Sequence, residues 1–209
     1  MPKSPRSYWI GGNILSLLEY NKPSHEITLD EFIAYINLPE NRDKRFELIE
    51  NQIYLMSSPS SLHARILTYI SGEIFIYLRG RQCELFNALD IHLPSTKGKT
   101  NVFCPDLFIN CNPDRIKKNF CLGAPEFIIE VASPSTDFRD YGVKRWLYMA
   151  YGVKEYWIID PIVEKVTVYS AIADSTGDII EKHYSFERPV NVNLFEGLVL
   201  DVSQLKNFL

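Results

Sequence analysis

The sequence predicts an α+β (α/β) fold in which a mixed β-sheet is flanked by helices. Two observations carry this prediction. Apolar residues recur at helical spacing over residues 62–78, and short apolar runs of strand length lie on both sides of a second helical segment. No repeat, low-complexity tract or linker divides the 209 residues. We therefore expect an irregular N-terminal arm over residues 1–26 and a single domain over residues 27–209.

Short local signals predict the elements of the N-terminal half. Thr28 is a suitable N-cap for a short helix, because two acids follow it in the first turn. Apolar residues alternate through residues 45–56 on either side of Glu50-Asn51, which predicts a β-hairpin. The long amphipathic helix follows this hairpin and is expected to end near Gly80.

Strand-like runs and one further helix make up the rest of the chain. The second helix is predicted from Asp137 to Tyr151, because Gly152 then stands at the C′ position that favours glycine. The strand-like runs lie at residues 83–93, 102–110, 126–131, 154–160, 163–170, 179–186 and 198–200, the last two as edge strands.

Composition and charge exclude several classes of protein. The hydrophobic fraction of 46% and the charged fraction of 23% are those of an ordinary globular protein. The net charge of −4 argues against a protein that coats nucleic acid through bulk positive charge. No apolar run is long enough to cross a bilayer, and Gly11-Gly12 interrupts the apolar run near the N-terminus. We expect a cytoplasmic protein with no membrane association.

The four cysteines form neither a CxxC pair nor a zinc-binding spacing with histidine. They stand at positions 83, 104, 111 and 121. In an intracellular protein such cysteines are expected to be buried, reduced thiols.

Two acids stand within apolar strand-like runs. Asp106 lies in the run at 102–110, and Glu130 follows Phe127-Ile128-Ile129. Burying a carboxylate is costly, and two on adjacent strands repel each other unless a cation lies between them. Mg²⁺ is a suitable cation, since it binds one or two carboxylates together with water and phosphate oxygens. The alternative is that each acid caps a strand end or pairs with a basic neighbour.

The second helix adds a basic residue close to these acids. Asp140, Lys144 and Tyr148 are spaced at i, i+4 and i+8, so they share one face over a span of about 12 Å. The helix begins within a few residues of Glu130, and Lys144 could therefore reach back over the strand end. The alternative is an Asp–Lys pair on a solvated face.

These residues lie in segments that resemble a known family. "CPDLFI", "PEFIIEVASPSTDFRDYGVKRWLYMAYGVKEYWIID" and the upstream "FELIENQIYLMSSPSSLHARI" are similar to the restriction endonuclease-like proteins of the PD-(D/E)XK nuclease superfamily. The resemblance covers roughly residues 45–169. It implies a restriction-endonuclease-like core and an endonuclease that hydrolyses phosphodiester bonds in DNA with Mg²⁺ or Mn²⁺.

The resemblance also assigns residues. It implies that Asp106 and Glu130 hold the metal and that Lys144 is the catalytic cation, displaced into the helix because Ala132 stands where lysine is expected. Glu47 and His63 match family positions too, as an additional acid and a histidine facing the same cleft. For these two, a salt bridge in the hairpin and an ordinary helix histidine are the alternatives.

Three functions remain open at this stage. The first is a metal-dependent nuclease. It is expected as a homodimer because double-strand cleavage commonly uses two sites and because aromatic residues, which make up 13% of the chain, are enriched at interfaces. These aromatics include Tyr148, Tyr151, Tyr156 and Trp157. The second is a catalytically inactive module on the same fold that binds nucleic acid or protein. The third is an interaction protein in which neither acid matters beyond stability. No nucleophile elbow, P-loop or dinucleotide fingerprint supports acyl transfer, NTP hydrolysis or hydride transfer.

Overall fold

The structure is a computed structural model and describes residues 26–94, 100–134, 137–171 and 178–209. The arm predicted over residues 1–26 therefore lies outside the described residues except for Glu26. Helices α1 (Leu29–Ile36) and α2 (Ser61–Leu78) occupy the predicted positions. No helix in the described parts of the chain is both long and apolar enough to cross a membrane.

The described residues form thirteen strands. They are β1 (Phe46–Ile49), β2 (Gln52–Leu55), β3 (Glu84–Asn87), β4 (Asp90–Pro94), β5 (Thr100–Phe103), β6 (Leu107–Asn110), β7 (Phe120–Leu122), β8 (Phe127–Val131), β9 (Glu155–Asp160), β10 (Lys165–Ser170), β11 (Ile180–Ser185), β12 (Val190–Asn191) and β13 (Val199–Leu200). Short 3₁₀ helices lie at Pro39–Asn41, Pro113–Arg115 and Val202–Phe208.

The strands divide into two larger sheets and a small ribbon. A six-stranded sheet has the order β11-β10-β9-β8-β6-β3, and a five-stranded sheet has the order β2-β1-β5-β4-β7. Pairing is antiparallel in both except for the parallel pairs β8–β9 and β4–β7. β12 and β13 pair only with each other, so the run at 198–200 is part of this ribbon and not an edge of a larger sheet.

Two runs predicted as single strands are each broken and shared between the sheets. The run at 83–93 splits into β3 and β4 at Ala88, whose φ of 52° interrupts extended backbone. The run at 102–110 splits into β5 and β6 at Cys104-Pro105-Asp106. Asp106 therefore lies in the connection between the two sheets, immediately before β6, and not within a strand as the sequence predicted.

Local sequence signals explain the elements that match prediction. Thr28 and Glu31 form a capping box at the start of α1. Glu50 and Asn51 both adopt positive φ, as a two-residue hairpin turn requires, and they connect β1 to β2. The Ser60 side chain accepts the His63 N–H and so caps α2.

The second predicted helix contains a π-helical turn. It runs through three α-helical residues (Asp137–Arg139), a π turn (Asp140–Lys144) and an α-helical end (Arg145–Ala150). We call these segments together the bulged helix. It supplies the crossover that the parallel pair β8–β9 requires. π turns inside helices are rare and frequently mark functional sites.

The six-stranded sheet is covered on both faces. One face packs on α2 through Ile66, Ile70 and Ile74, together with the C-terminal segment. The other face packs against the bulged helix and the five-stranded sheet. The interior space between the two sheets and under the bulged helix is where the polar residues described below lie.

The expectation of four reduced thiols is wrong for one pair. Cys83 and Cys111 form a disulfide, while Cys104 and Cys121 are free and buried. The pairing of Glu84 with Asn110 across β3 and β6 places residues 83 and 111 opposite each other at the strand ends. The two cysteines are 28 residues apart in sequence, and this separation alone does not indicate that they lie opposite each other.

Candidate active site

The alternation of β8 directs Glu130 into the space between the sheets. Phe127, Ile129 and Val131 belong to the core between the six-stranded sheet and α2, whereas Ile128 belongs to the core under the bulged helix. Because successive side chains of a strand point to opposite faces, Glu130 shares the face of Ile128. Its side chain is 95% buried by this arrangement.

Lys144 lies at the centre of a buried acidic cluster. Its Nζ is 2.9 Å from Glu130 Oε1, 2.9 Å from Glu47 Oε1 and 3.4 Å from Asp140 Oδ1. The ammonium group thus has as many carboxylate neighbours as it has protons to donate. The side chain is 3% exposed, so these ion pairs are shielded from solvent.

The two carboxylate oxygens of Glu130 have separate neighbours. Oε1 accepts hydrogen bonds from Lys144 Nζ and from the Tyr148 hydroxyl, the latter at 3.2 Å. Oε2 accepts the backbone N–H of Asp106 at 3.2 Å. One oxygen is therefore turned towards the buried cluster and the other towards Asp106.

Asp106 and His63 lie at the more open end of the cluster. His63 Nε2 is 3.0 Å from Asp106 Oδ1, and Asp106 Oδ2 accepts the Val131 N–H at 2.7 Å. The His63 and Asp106 side chains are 16% and 17% exposed, compared with 5% for Glu130. This is the end of the cluster that is more accessible to solvent.

Glu47 reaches the cluster from the other sheet. Its strand β1 pairs with β5 at Leu48 and Val102, and the Cys104 N–H that follows β5 donates to Glu47 Oε1 at 3.1 Å. Glu47 Oε2 is buried and has no hydrogen-bond partner among the described residues. A buried carboxylate oxygen without a donor is costly unless a cation or water satisfies it.

The cluster contains more acidic than basic side chains. Burial raises the pKa of Glu130 well above its ordinary value; Lys144 opposes this rise, while Asp140, Asp106 and Glu47 add to it. Burial alone would lower the pKa of Lys144, but Glu130, Glu47 and Asp140 hold it well above its usual range. Lys144 is therefore a permanent cation, and it faces three acids.

Two further groups have shifted pKa values. Burial, followed by the charges of Glu130, Glu47 and Asp140, raises the pKa of Tyr148 well above 10, so its hydroxyl remains a donor. Burial lowers the pKa of His63, but the hydrogen bond and charge of Asp106, with the charge of Asp140, leave it raised from 6.5. The acidic neighbours of His63 thus favour its protonated form.

The donors present fit a small divalent cation. Asp106 and Glu130 carry hard oxygen ligands and are joined by the contact of the Asp106 N–H with Glu130 Oε2. The surplus of acidic side chains and the unpartnered Glu47 Oε2 both favour added positive charge. In the described ranges no three His, Cys, Asp or Glu side chains are grouped as ligands of one ion. Mg²⁺ commonly takes one or two carboxylates and otherwise water or phosphate oxygens, so two acids suffice.

All five residues singled out in the sequence come together here. Asp106, Glu130, Lys144, Glu47 and His63 are linked by the contacts just described. Two further residues, Asp140 and Tyr148, also belong to the site. From the sequence they were placed on the same helix face as Lys144 but were not assigned a role. Their signal was the i, i+4, i+8 spacing, which the π turn preserves.

The described residues thus form two mixed sheets flanked by helices, with a buried carboxylate–lysine cluster to which both sheets contribute. The chain belongs to the family described as "Putative restriction endonuclease" (Uma2), which residues 29–203 match. The predicted family and the predicted restriction-endonuclease-like fold are both confirmed.

Two proteins illustrate the similarity. A crystal structure described as a "putative nuclease belonging to DUF820" from Anabaena variabilis aligns with a TM-score of 0.69 and 22% identity, over 87% of this chain and 98% of that one. At this identity it shows the shared fold. The "Uncharacterized protein slr1290" of Synechocystis sp. is 33% identical over 115 residues, which are 54% of this chain and 59% of that protein.

Proposed function

We propose that this chain is a metal-dependent endonuclease that hydrolyses phosphodiester bonds in DNA, with Mg²⁺ or Mn²⁺ held by Asp106 and Glu130. The observation that carries the proposal is the buried acidic cluster, in which three carboxylates surround one lysine beside a fourth at the open end. Membership of the family described as "Putative restriction endonuclease" supports nucleic acid as the substrate.

A divalent cation at these acids would polarise a phosphoryl oxygen and favour attack by water. The residues of the chain would bind and orient. Asp106 and Glu130 would supply the carboxylates, and His63 would fix Asp106 through the 3.0 Å contact. The pKa of His63 is raised, so it can also hold a proton at the end that a substrate approaches.

In this proposal Lys144 is the cation that stabilises negative charge near the scissile phosphate. Its side chain is buried, and any such action would be exerted across Glu130 and not through an exposed ammonium group. Glu47 and Asp140 would keep Lys144 in position. No covalent nucleophile is required for this hydrolysis.

A cleavage assay tests the proposal directly. Purified protein is incubated with supercoiled, linear and single-stranded DNA in Mg²⁺, in Mn²⁺ and in EDTA. We expect nicking or linearisation that requires the metal and is lost in Asp106→Asn and Glu130→Gln. Asp114→Asn is the matched control, because Asp114 is an exposed acid outside the cluster.

The second candidate is a catalytically inactive module that binds nucleic acid or protein. The net charge of −4 favours this candidate, because a chain with this charge does not bind DNA through an overall positive charge. DNA binding without metal-dependent cleavage would support this candidate and would refute the nuclease.

A homodimer is also part of the proposal, but different aromatic residues now support it. Of the aromatics that suggested an interface, Tyr148, Tyr156 and Trp157 are fully buried in the core. Phe138 and Trp146, on the outer surface of the bulged helix, are instead 72% and 62% exposed. Light scattering should give twice the monomer mass, and Trp146→Lys should reduce it to the monomer mass.

A further inference from the structure

Tyr148 contacts the proposed site through one atom. Its hydroxyl donates to Glu130 Oε1 at 3.2 Å, and the side chain is fully buried, so it cannot reach a substrate. Lys144 Nζ donates to the same oxygen at 2.9 Å. Two donors on Oε1 fix the carboxylate in one rotation about its terminal bond.

This fixed rotation also determines the direction of the other carboxylate oxygen, Oε2. Glu130 Oε2 is directed towards Asp106, whose backbone N–H it accepts. Hydrogen bonds to the far side of a ligating group commonly orient it and tune the affinity of the metal. Glu130 Oε1 and its two donors form an arrangement of this kind.

We infer that Tyr148 is a positioning residue which, together with Lys144, holds Oε1 of Glu130 so that Oε2 is the oxygen presented to a divalent cation beside Asp106. This inference rests on the proposed function, because it assumes that Glu130 is a ligand. It assigns Tyr148 to the preorganisation of the metal site and not to contact with DNA.

Tyr156 provides a matched control. Its ring lies against that of Tyr148, with centroids 5.2 Å apart, and it is equally buried. Its hydroxyl also donates one hydrogen bond, at 3.1 Å, but to the backbone carbonyl of Asp140. Phenylalanine at either position removes one buried hydroxyl group. Only Tyr148→Phe removes a hydrogen bond to the Glu130 carboxylate.

The test is Mn²⁺ binding to the metal-stripped full-length chain, measured by electron paramagnetic resonance or calorimetry. Tyr148→Phe should weaken Mn²⁺ binding about tenfold, the lower part of the range for partners that orient a metal ligand. Tyr156→Phe should bind Mn²⁺ as the parent does. In the cleavage assay, saturating Mn²⁺ should return Tyr148→Phe to the parental rate, since a positioning role acts through occupancy.

The outcomes separate this inference from the proposed function. Mn²⁺ binding in the parent and equally in Tyr148→Phe would overturn the inference and leave the nuclease proposal intact. Equal weakening in both phenylalanine variants would also overturn it, because loss of packing and not of the Glu130 contact would then be the cause. A parent that binds no Mn²⁺ would overturn the proposed metal site and this inference together.

Discussion

Lys144 Nζ and Glu130 Oε1 lie 2.9 Å apart in an interior where both side chains are at least 95% buried. Glu130 belongs to β8, and Lys144 ends the π turn of the bulged helix, which forms the crossover from β8 to β9. Because Glu47 and Asp140 approach the same ammonium group, Lys144 is a structural cation as well as a candidate catalytic one.

Replacing Lys144 should therefore reduce stability. Lys144→Met keeps the aliphatic stem but leaves three buried carboxylates without their cation. Removing one partner of a buried ion pair costs about 3–5 kcal/mol, and urea denaturation in EDTA should show a loss of this order. Lys154→Met, at an exposed lysine, is the control and should change stability little.

The same variant should respond more strongly to divalent cations. A vacated position between three carboxylates can accept a cation in place of the ammonium group, so Mg²⁺ should restore part of the stability that Lys144→Met loses. A variant that is as stable as the parent in EDTA would show that the acids of the cluster are protonated and need no cation.

Metal addition should stabilise the parent through Asp106 and Glu130. A ligand that binds only the folded chain adds about 2.7 kcal/mol when present at a hundredfold its dissociation constant. We expect the melting temperature to rise on Mg²⁺ or Mn²⁺ titration and to return on EDTA addition. Asp106→Asn should abolish the rise, whereas Asp114→Asn should retain it. A rise retained in Asp106→Asn would place the ion elsewhere.

Much of the local structure was predictable, because local signals determine it. The Thr28 cap, the Glu50-Asn51 turn and the apolar spacing of α2 each specify an element independently of the rest of the chain. The breaks at Ala88 and at Cys104-Pro105-Asp106 were missed, since apolar patterning continues through both. The division into two sheets follows from these breaks and was missed with them.

The site was predictable in part for a similar reason. Asp106 and Glu130 could be paired because each interrupts an apolar run, and a charge buried there requires compensation. The position of Glu47 beside Lys144 depends on the pairing of β1 with β5, a contact between residues far apart in sequence. Only the family resemblance indicated Glu47. The role of Tyr148 depends on a side-chain contact that spacing alone does not distinguish from core packing.

The disulfide should contribute measurably to stability. Cys83 and Cys111 close a loop across β3 and β6, with a sequence separation of 28. The chain-entropy relation gives about 3.6 kcal/mol for a loop of this length. The Cys83→Ser/Cys111→Ser double variant should lose stability of this order in oxidising buffer. Reductant should bring the parent to the level of the variant and leave the variant unchanged; equal stability of the two proteins in oxidising buffer would contradict the pairing.

The contact between His63 and Asp106 should make stability depend on pH in a defined direction. The folded-state pKa of His63 is raised from 6.5, because Asp106 and Asp140 outweigh the effect of burial. A raised histidine pKa contributes stability that is fully present below the unfolded-state pKa and is lost as the pH rises through the folded-state pKa.

Unfolding free energies of the parent and of His63→Ala should therefore differ more at about pH 5.5 than at about pH 8.5. EDTA is kept throughout so that no cation competes for Asp106. His183→Ala is the control, because His183 lies exposed on the edge strand β11, away from the cluster. A difference that stays constant between the two pH values would mean that His63 contributes by packing alone. A difference that grows towards high pH would have the opposite sign to the one expected. It would show that the charged contact between His63 and Asp106 does not stabilise the folded chain.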